Sequence, residues 1–188
     1  LEAMRDSGGN LTSGAIRTRN KSYSKTFFEQ TRGYFECRVK LQSKPGFWSA
    51  FWLMASGDYN VGNGATDWAE IDIMESYSVA KKGINHAIHW DGYDADHKST
   101  GKSVEGINVY DGEFHTFGLL WTENAYIFYI DGIESYRLTE GMSDWPGSCQ
   151  VPVYLKLTNE FGNWADDMDG TAFTDQVLYD YVRVYAKQ

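Results

Sequence analysis

Residues 70–75 read Glu-Ile-Asp-Ile-Met-Glu and place three carboxylates within six positions, separated by large apolar side chains. Side chains on a β-strand alternate between its two faces, so Glu70 and Asp72 share one face and the two isoleucines the other. In a regular strand Glu75 would fall on the apolar face. One extra residue, a β-bulge near positions 73–74, returns Glu75 to the face of the other two acids, and such bulges are frequent beside active sites.

Carboxylates held this close to one another disfavour simultaneous ionisation, which raises the pKa of at least one of them. A protonated carboxyl beside an ionised one is the pair that glycoside hydrolysis uses, since one group protonates the leaving oxygen and the other attacks the sugar. A solvated acidic strand, with or without a bound cation, is the alternative. Like charges along a strand are unfavourable without a purpose, so the segment favours a catalytic role.

Period-two alternation of apolar side chains recurs along most of the chain and predicts strands rather than helices. The clearest examples are Phe35/Cys37/Val39/Leu41, Phe117/Leu119/Trp121, Tyr126/Phe128/Ile130 and Val153/Leu155/Leu157. Asp131-Gly132 separates two such segments and predicts a hairpin turn. The polar segments 57–66 and 91–106 are expected to be loops before and after the acid-bearing strand, and the length of 188 residues favours one domain.

Further sequence blocks surround the acid segment in a fixed order. They include Thr12-Ser13-Gly14, Gly33-Tyr34-Phe35-Glu36, Gly46-Phe47-Trp48, His86-Ala87-Ile88-His89, Tyr129-Ile130-Asp131-Gly132 and Asp180-Tyr181-Val182-Arg183. Together with Glu-Ile-Asp-Ile-Met-Glu, in its six-residue bulged form, this series resembles glycoside hydrolase family 16. The resemblance covers nearly the whole chain.

The resemblance implies an all-β, jelly-roll β-sandwich of the concanavalin-like type, with a concave substrate cleft, and retaining cleavage of β-linked polysaccharides. It implies that Glu70 is the nucleophile, Asp72 the assisting acid and Glu75 the acid/base. The chain opens at a point that lies inside the family pattern, so residues 1–188 are expected to form a single catalytic domain without its first strands. No cofactor is required. Asp180 matches a residue near a calcium site on the convex side, and calcium binding stays open because its other ligands would belong to those strands.

The facing of side chains predicts further cleft residues. Glu36 and Arg38 alternate with core residues, and the resemblance favours them as hydrogen-bonding groups for sugar hydroxyls, although charges on an open strand are commonly only solvated. Trp48 and Trp52 share a face opposite an apolar one. Tryptophans at this spacing are more often core residues, but two indoles on the polar face suit stacking on pyranose rings.

Three additional positions complete the predicted cleft. His89 shares the cleft face of the strand after the acids, where it is expected to touch substrate or Glu75, while His86 points to the interior. Glu160 lies opposite an apolar strand face and is expected to line the cleft. Trp164 follows Gly162-Asn163 and is expected to cap one end.

The formal net charge of −9 argues against nucleic acid as a partner, since phosphate backbones need a basic surface, and it favours a neutral polysaccharide over a sulfated one. A local basic patch would override the total. The sequence has no apolar run long enough for a membrane span. A secreted or cell-surface monomer with a polysaccharide substrate is expected. Free thiols are favoured over a disulfide for Cys37 and Cys149, because Cys37 alternates with core residues.

The substrate is the least constrained property of the chain. The six-residue motif resembles the laminarinase and galactanase branches, whereas mixed-linkage lichenases carry a five-residue form, so a neutral β-1,3-glucan is favoured. Many laminarinases place Trp-Pro and a Gly before the first Glu, and Thr66-Asp67-Trp68-Ala69 departs from that pattern. The alternatives are an endo-β-galactosidase acting on a galactan or host glycan and, from another class, a non-catalytic carbohydrate-binding jelly roll.

Overall fold

The computed structural model describes residues 1–56, 69–143, 150–162, 164–166 and 173–186, and within these ranges all regular structure is β-strand. The strands are β1 Glu2–Arg5, β2 Leu11–Thr12, β3 Gly14–Arg17, β4 Gly33–Lys40, β5 Phe47–Ala55, β6 Ala69–Ser78, β7 Gly83–Trp90, β8 Lys98–Val104, β9 His115–Trp121, β10 Ala125–Ile130, β11 Ile133–Thr139, β12 Val153–Phe161, β13 Phe173–Gln176 and β14 Leu178–Tyr185. Within the same ranges, no helix has the length and apolar character needed to cross a membrane.

Two large antiparallel sheets form the sandwich. One has five strands in the order β11-β10-β9-β4-β14, and the other has six in the order β3-β12-β5-β6-β7-β8. A small third sheet, β13-β1-β2, completes the described part of the chain. Apolar side chains from the two large sheets share one core cluster, so the predicted all-β jelly-roll sandwich is confirmed.

The core is built by the alternation that the sequence displays. In β4, Phe35, Cys37 and Val39 are fully buried, and Phe51 and Ile71 meet them from the six-stranded sheet. Burying a Val, Ile or Phe side chain stabilises the fold by about 1.5–3 kcal/mol. Burial also raises the pKa of the Cys37 thiol well above its ordinary value, and the thiol is free. Cys149 lies outside the described residues.

The turn and loop predictions have different outcomes. Asp131 and Gly132 join β10 to β11 with φ values of 50° and 75°, the positive pair of a type I′ hairpin turn, so that prediction is confirmed. The prediction of a loop over 91–106 is wrong in part, because β8 forms within it. This strand lies at a sheet edge with most of its side chains exposed, and it therefore lacks apolar alternation. Segment 57–66 lies outside the described residues.

Candidate active site

The predicted bulge is present in β6. Asp72 pairs with Trp52 of β5, and Met74 pairs with the preceding Phe51, so Ile73 is the additional residue. The pairing of β6 with β7 shifts at the same point. Ile73 and Met74 are both fully buried, and Glu75 consequently returns to the face of the first two acids.

A buried histidine of β7 supports the bulge from the core side. His86 Nδ1 lies 2.7 Å from the carbonyl oxygen of Ile73, and Nε2 lies 2.8 Å from Ser135 Oγ on β11 of the opposite sheet. Because burial lowers the pKa of His86 to about 4, the ring is neutral at ordinary pH. A carbonyl only accepts, so the hydrogen of the neutral ring is on Nδ1, which donates to Ile73.

Glu70 lies among groups that favour its ionised form. The hydroxyl of Tyr93 donates a hydrogen bond to Glu70 Oε2. Burial raises the pKa of Glu70, and the hydrogen bond from Tyr93 and the nearby Lys156 and His97 oppose that rise. Among the three acids, Glu70 therefore has the environment that a nucleophile needs.

Asp72 lies between the other two acids in the strand and is buried, with 4% of its surface exposed. Burial raises the pKa of Asp72 well above its ordinary value, and the charges of Glu75 and Glu70 raise it further. Its Oδ2 atom lies 3.5 Å from Nε2 of His89. The surroundings of Asp72 thus favour its protonated form.

Glu75 occupies the other end of the row and is 7% exposed. Burial raises the pKa of Glu75 to about 7, and the charge of Glu70 adds to the rise against the hydrogen bond from Asn85. A carboxyl with this pKa holds a proton at mildly acidic pH and releases it readily, as a general acid must.

Cavities flank the acid row on both sides. One of about 490 Å³ extends toward β7 and β8, where His89 and Trp164 line it, and one of about 140 Å³ extends toward β5 and β12, where Trp52 and Glu160 line it. Trp48 lines both cavities. The structure thus brings these five predicted residues to the cleft, and their contacts with substrate stay predictions. His89 lies beside Asp72, whereas Glu75 is bonded by Asn85.

The placement of Glu36 and Arg38 in the cleft is wrong. Both belong to β4, which lies in the five-stranded sheet, and their side chains leave that sheet on the side away from the core. Glu36 accepts hydrogen bonds from Tyr34 and Tyr181 over 3.0 and 2.8 Å. Alternation identifies the face of a strand, but it does not identify the sheet to which the strand belongs.

Calcium binding near Asp180 stays a prediction, and an arginine engages this carboxylate. Asp180 Oδ2 lies 2.7 Å from Arg38 Nη1, and this cation opposes the binding of another. Among the described residues, metal-binding side-chain atoms gather only at Glu70, Asp72 and His89, within 4.8 Å of one another. These are residues of the acid row and its neighbour, not of the opposite sheet.

Three residues of the site were missed in the sequence. Tyr93 is the third residue after the end of β7 and lies in a loop next to the acids. Substrate contacts are common in such loops. Asn85 lies four positions before His89 on one strand, and Lys156 lies four before Glu160 on another, so each shares a face with a predicted cleft residue. Facing alone could have identified the latter two.

The sandwich and the acid row together define the class of jelly-roll glycoside hydrolases. The sequence profile of the family described as "Glycosyl hydrolases family 16" matches residues 3–183, and the chain belongs to this family. The resemblance seen in the sequence motifs is thereby confirmed.

Individual relatives agree with this assignment. The chain is 30% identical over 183 residues to endo-1,3-1,4-beta-glycanase ExsH of Rhizobium meliloti (strain 1021), covering 95% of this chain and 34% of that protein. The laminarinase catalytic domain of Thermotoga maritima MSB8 superposes with a TM-score of 0.77 at 28% identity, covering 100% of this chain and 76% of that one. A family 16 protein of Bacteroides ovatus, at 23% identity and a TM-score of 0.77 over 98% of this chain and 79% of that one, supports the fold. The chain spans about a third of the length of ExsH.

Proposed function

We propose that the chain is the catalytic part of a retaining endo-β-glycosidase that hydrolyses a β-glucan with β-1,3 linkages. The observation that carries the proposal is the unequal environment of two acids on one strand face. Burial raises the pKa of both acids. At Glu70 the hydrogen bond from Tyr93 and the charge of Lys156 oppose that rise, whereas at Glu75 the pKa reaches about 7. An ionised carboxylate and a protonated carboxyl on the same face are the two groups that a retaining mechanism requires.

The first step forms a covalent intermediate. Ionised Glu70 attacks the anomeric carbon, the glycosidic C–O bond breaks, and the proton of Glu75 moves to the departing oxygen. Protonated Asp72 places no additional negative charge between the two groups. This step requires the carboxyl groups of Glu70 and Glu75 to lie about 5–5.5 Å apart.

The second step releases the sugar. Glu75, now ionised, takes a proton from water as the water oxygen attacks the anomeric carbon, and the ester bond to Glu70 breaks. Each displacement inverts the anomeric carbon, so two displacements keep the β-configuration.

The cleft supports internal cleavage of a polymer. Cavities lie on both sides of the acid row, so a glycan chain has room to extend past the acids in both directions. Trp48 offers indole surface for pyranose rings along this path, whereas Lys156 lies over the ring of Trp52. The name of the T. maritima laminarinase supports a β-1,3-glucan backbone, and that of ExsH, an endo-1,3-1,4-beta-glycanase, supports cleavage of β-1,3 and β-1,4 linkages. A secreted or cell-surface location suits a polymeric substrate, which does not cross membranes.

Product analysis on three neutral polymers tests the proposal. The chain and its Glu75→Gln variant are incubated with laminarin, a mixed-linkage β-glucan and a neutral β-galactan. Internal fragments from laminarin, formed by the unaltered chain alone, are expected. Oligosaccharides from the galactan alone would show that the substrate is a β-galactan and not a β-glucan. Equal binding without turnover by either protein would instead indicate a carbohydrate-binding jelly roll.

A further inference from the structure

A row of paired residues crosses the six-stranded sheet from the acids to its edge. Asp72 pairs with Trp52, Trp52 pairs with Lys156, and Lys156 pairs with Arg17 of β3. Directly opposed residues of antiparallel strands project from the same face, so all four side chains share the cleft face. Neighbouring strands lie about 4.8 Å apart, which puts the strand of Arg17 about 14 Å from that of Asp72.

This side of the cleft carries three cations, Arg17, Arg19 and Lys156, which we call the cationic arm. Lys156 Nζ lies 3.3 Å from the ring centroid of Trp52, over an indole that would otherwise stack on a sugar. Lys156 is partly buried and lies near Glu70, so charge balance with the acids accounts for its position. The two arginines lie farther out and need a different explanation.

Aromatic side chains hold both arginines in place. Arg17 Nη1 donates to the Tyr23 hydroxyl over 2.8 Å, with Cζ 4.5 Å from the centre of that ring. Arg19 Nη2 donates to the Tyr23 carbonyl oxygen over 2.8 Å, and its Cζ lies 5.5 Å from the centre of the Tyr154 ring. Cation–π contacts of this kind orient a guanidinium without neutralising its charge.

The guanidinium N–H groups of Arg17 and Arg19 are more numerous than the hydrogen-bond acceptors that they contact. Arg19 Nε is buried and has no hydrogen-bond partner among the described residues. Neither arginine forms an ion pair within the described parts of the chain, although the protein has a net charge of −9 and carboxylates are abundant. Leaving a buried donor unpaired is unfavourable, and an acceptor from a ligand would satisfy it.

We propose that the cationic arm binds an acidic substituent, a carboxylate or a sulfate, on a sugar of the β-glucan beyond the scissile bond. Guanidinium groups suit such anions because their planar donors match two oxygens at once. The inference rests on the proposed function and refines its substrate. An acidic glucan differs from the neutral polymer that the net charge of the protein favours. The bound glycan experiences the local electrostatic field of the cationic arm and not the net charge of the whole surface.

Three β-1,3-glucans of matched length test this inference: laminarin, a sparsely carboxymethylated form and a sparsely sulfated form. The quantity measured is the ratio of kcat/KM on each acidic polymer to kcat/KM on laminarin. We expect a ratio above one for at least one acidic form, and the preferred form identifies the anion. In the Arg17→Gln and Arg19→Gln variants the ratio should fall about tenfold, the effect of losing one charge-assisted hydrogen bond.

Arg183→Gln is the matched control. This arginine also lies over a tyrosine, with Cζ 4.0 Å from the centre of the Tyr181 ring, but on the five-stranded sheet. The Arg183→Gln substitution removes the same charge and should leave the ratio of kcat/KM values unchanged. The Arg17→Lys substitution keeps the charge and should retain a ratio above one.

The outcomes separate the two proposals. Cleavage of laminarin with a ratio that Arg17→Gln and Arg183→Gln alter equally would overturn the cationic arm and leave the proposed function intact. Failure to cleave any of the three polymers would overturn the proposed function itself.

Discussion

Asn85 Nδ2 donates a hydrogen bond of 2.9 Å to Glu75 Oε2, and Ser103 Oγ donates over 2.9 Å to the Oδ1 atom of the same amide. The second bond fixes the amide with its nitrogen toward the acid. Asn85 therefore favours the ionised form of Glu75, whereas burial favours the protonated form and prevails, which raises the pKa to about 7.

This balance predicts the alkaline limb of the pH–rate profile. Glu75 acts as an acid only while protonated, so kcat/KM should fall as the pH rises through about 7, to about a tenth of its plateau at pH 8. In Asn85→Ala the donor is lost, the pKa of Glu75 rises further, and the limb should move to higher pH. A limb that stays in place, or moves to lower pH, would contradict this role of Asn85.

The acid limb should report on Glu70. This carboxylate must be ionised to attack, and the Tyr93 hydroxyl stabilises that form. We expect Tyr93→Phe to raise the pKa of Glu70, to move the acid limb of kcat to higher pH, and to lower kcat about tenfold. Tyr181→Phe is the matched control, since it removes a hydroxyl that donates to Glu36 on the other sheet. An equal effect of both substitutions would show that the contact of Tyr93 with Glu70 is not the cause.

Azide can identify the separate roles of the two glutamates. In Glu70→Ala the nucleophile is missing, and azide should attack a dinitrophenyl β-glucan oligosaccharide directly to give the α-glycosyl azide. In Glu75→Ala the covalent intermediate still forms, and azide should give the β-glycosyl azide. NMR of the products distinguishes the two anomers. The opposite pairing of variants and products would exchange the assigned roles.

His86 predicts an acid-dependent loss of stability. The pKa of its imidazole falls on folding from 6.5 to about 4, because the charged form is disfavoured in the core. The contribution of the neutral ring, about 3 kcal/mol, is present above pH 6.5 and is lost as the pH falls toward 4. The difference in the free energy of unfolding between the unaltered chain and His86→Asn should shrink by this amount, as measured by urea titrations across that range.

His115 provides a control of opposite sign. Its ring nitrogens lie 2.7 Å from Asp131 and 3.0 Å from Asp111, and although burial disfavours the charged ring, these carboxylates prevail and raise the pKa of His115. Its contribution should be present at low pH and be lost as the pH rises through the folded-state pKa. The stability difference for His115→Asn should therefore grow on acidification. Slopes of the same sign for both variants would contradict this account.

The acid row could be derived from the sequence because its cause is local. Two-residue alternation and three acids within six positions require one extra residue, and the bulge occurs at Ile73 as predicted. The position of β4 is a different kind of property. Its alternation is perfect, but the choice between the two sheets depends on pairing with β9 and β14, distant in the chain. Alternation alone therefore predicts the wrong surface for Glu36.

Contacts between distant segments account for the other differences. Tyr93 reaches Glu70 because its loop folds back over the strand, and no pattern within that loop encodes the fold-back. The ammonium of Lys156 covers Trp52 because the two residues are paired across β5 and β12, which a single strand does not reveal. The polar edge strand β8 shows no apolar alternation, so the sequence pattern alone predicts a loop there.

The configuration of the first product tests the central claim most directly. NMR spectra are recorded during the first minutes of laminarin hydrolysis, before the new reducing ends mutarotate. Two successive displacements by Glu70 and by water activated through Glu75 predict that the β-anomer appears first and the α-anomer only later. An α-anomer that forms first would mean a single displacement by water, and it would contradict the assignment of Glu70 as nucleophile.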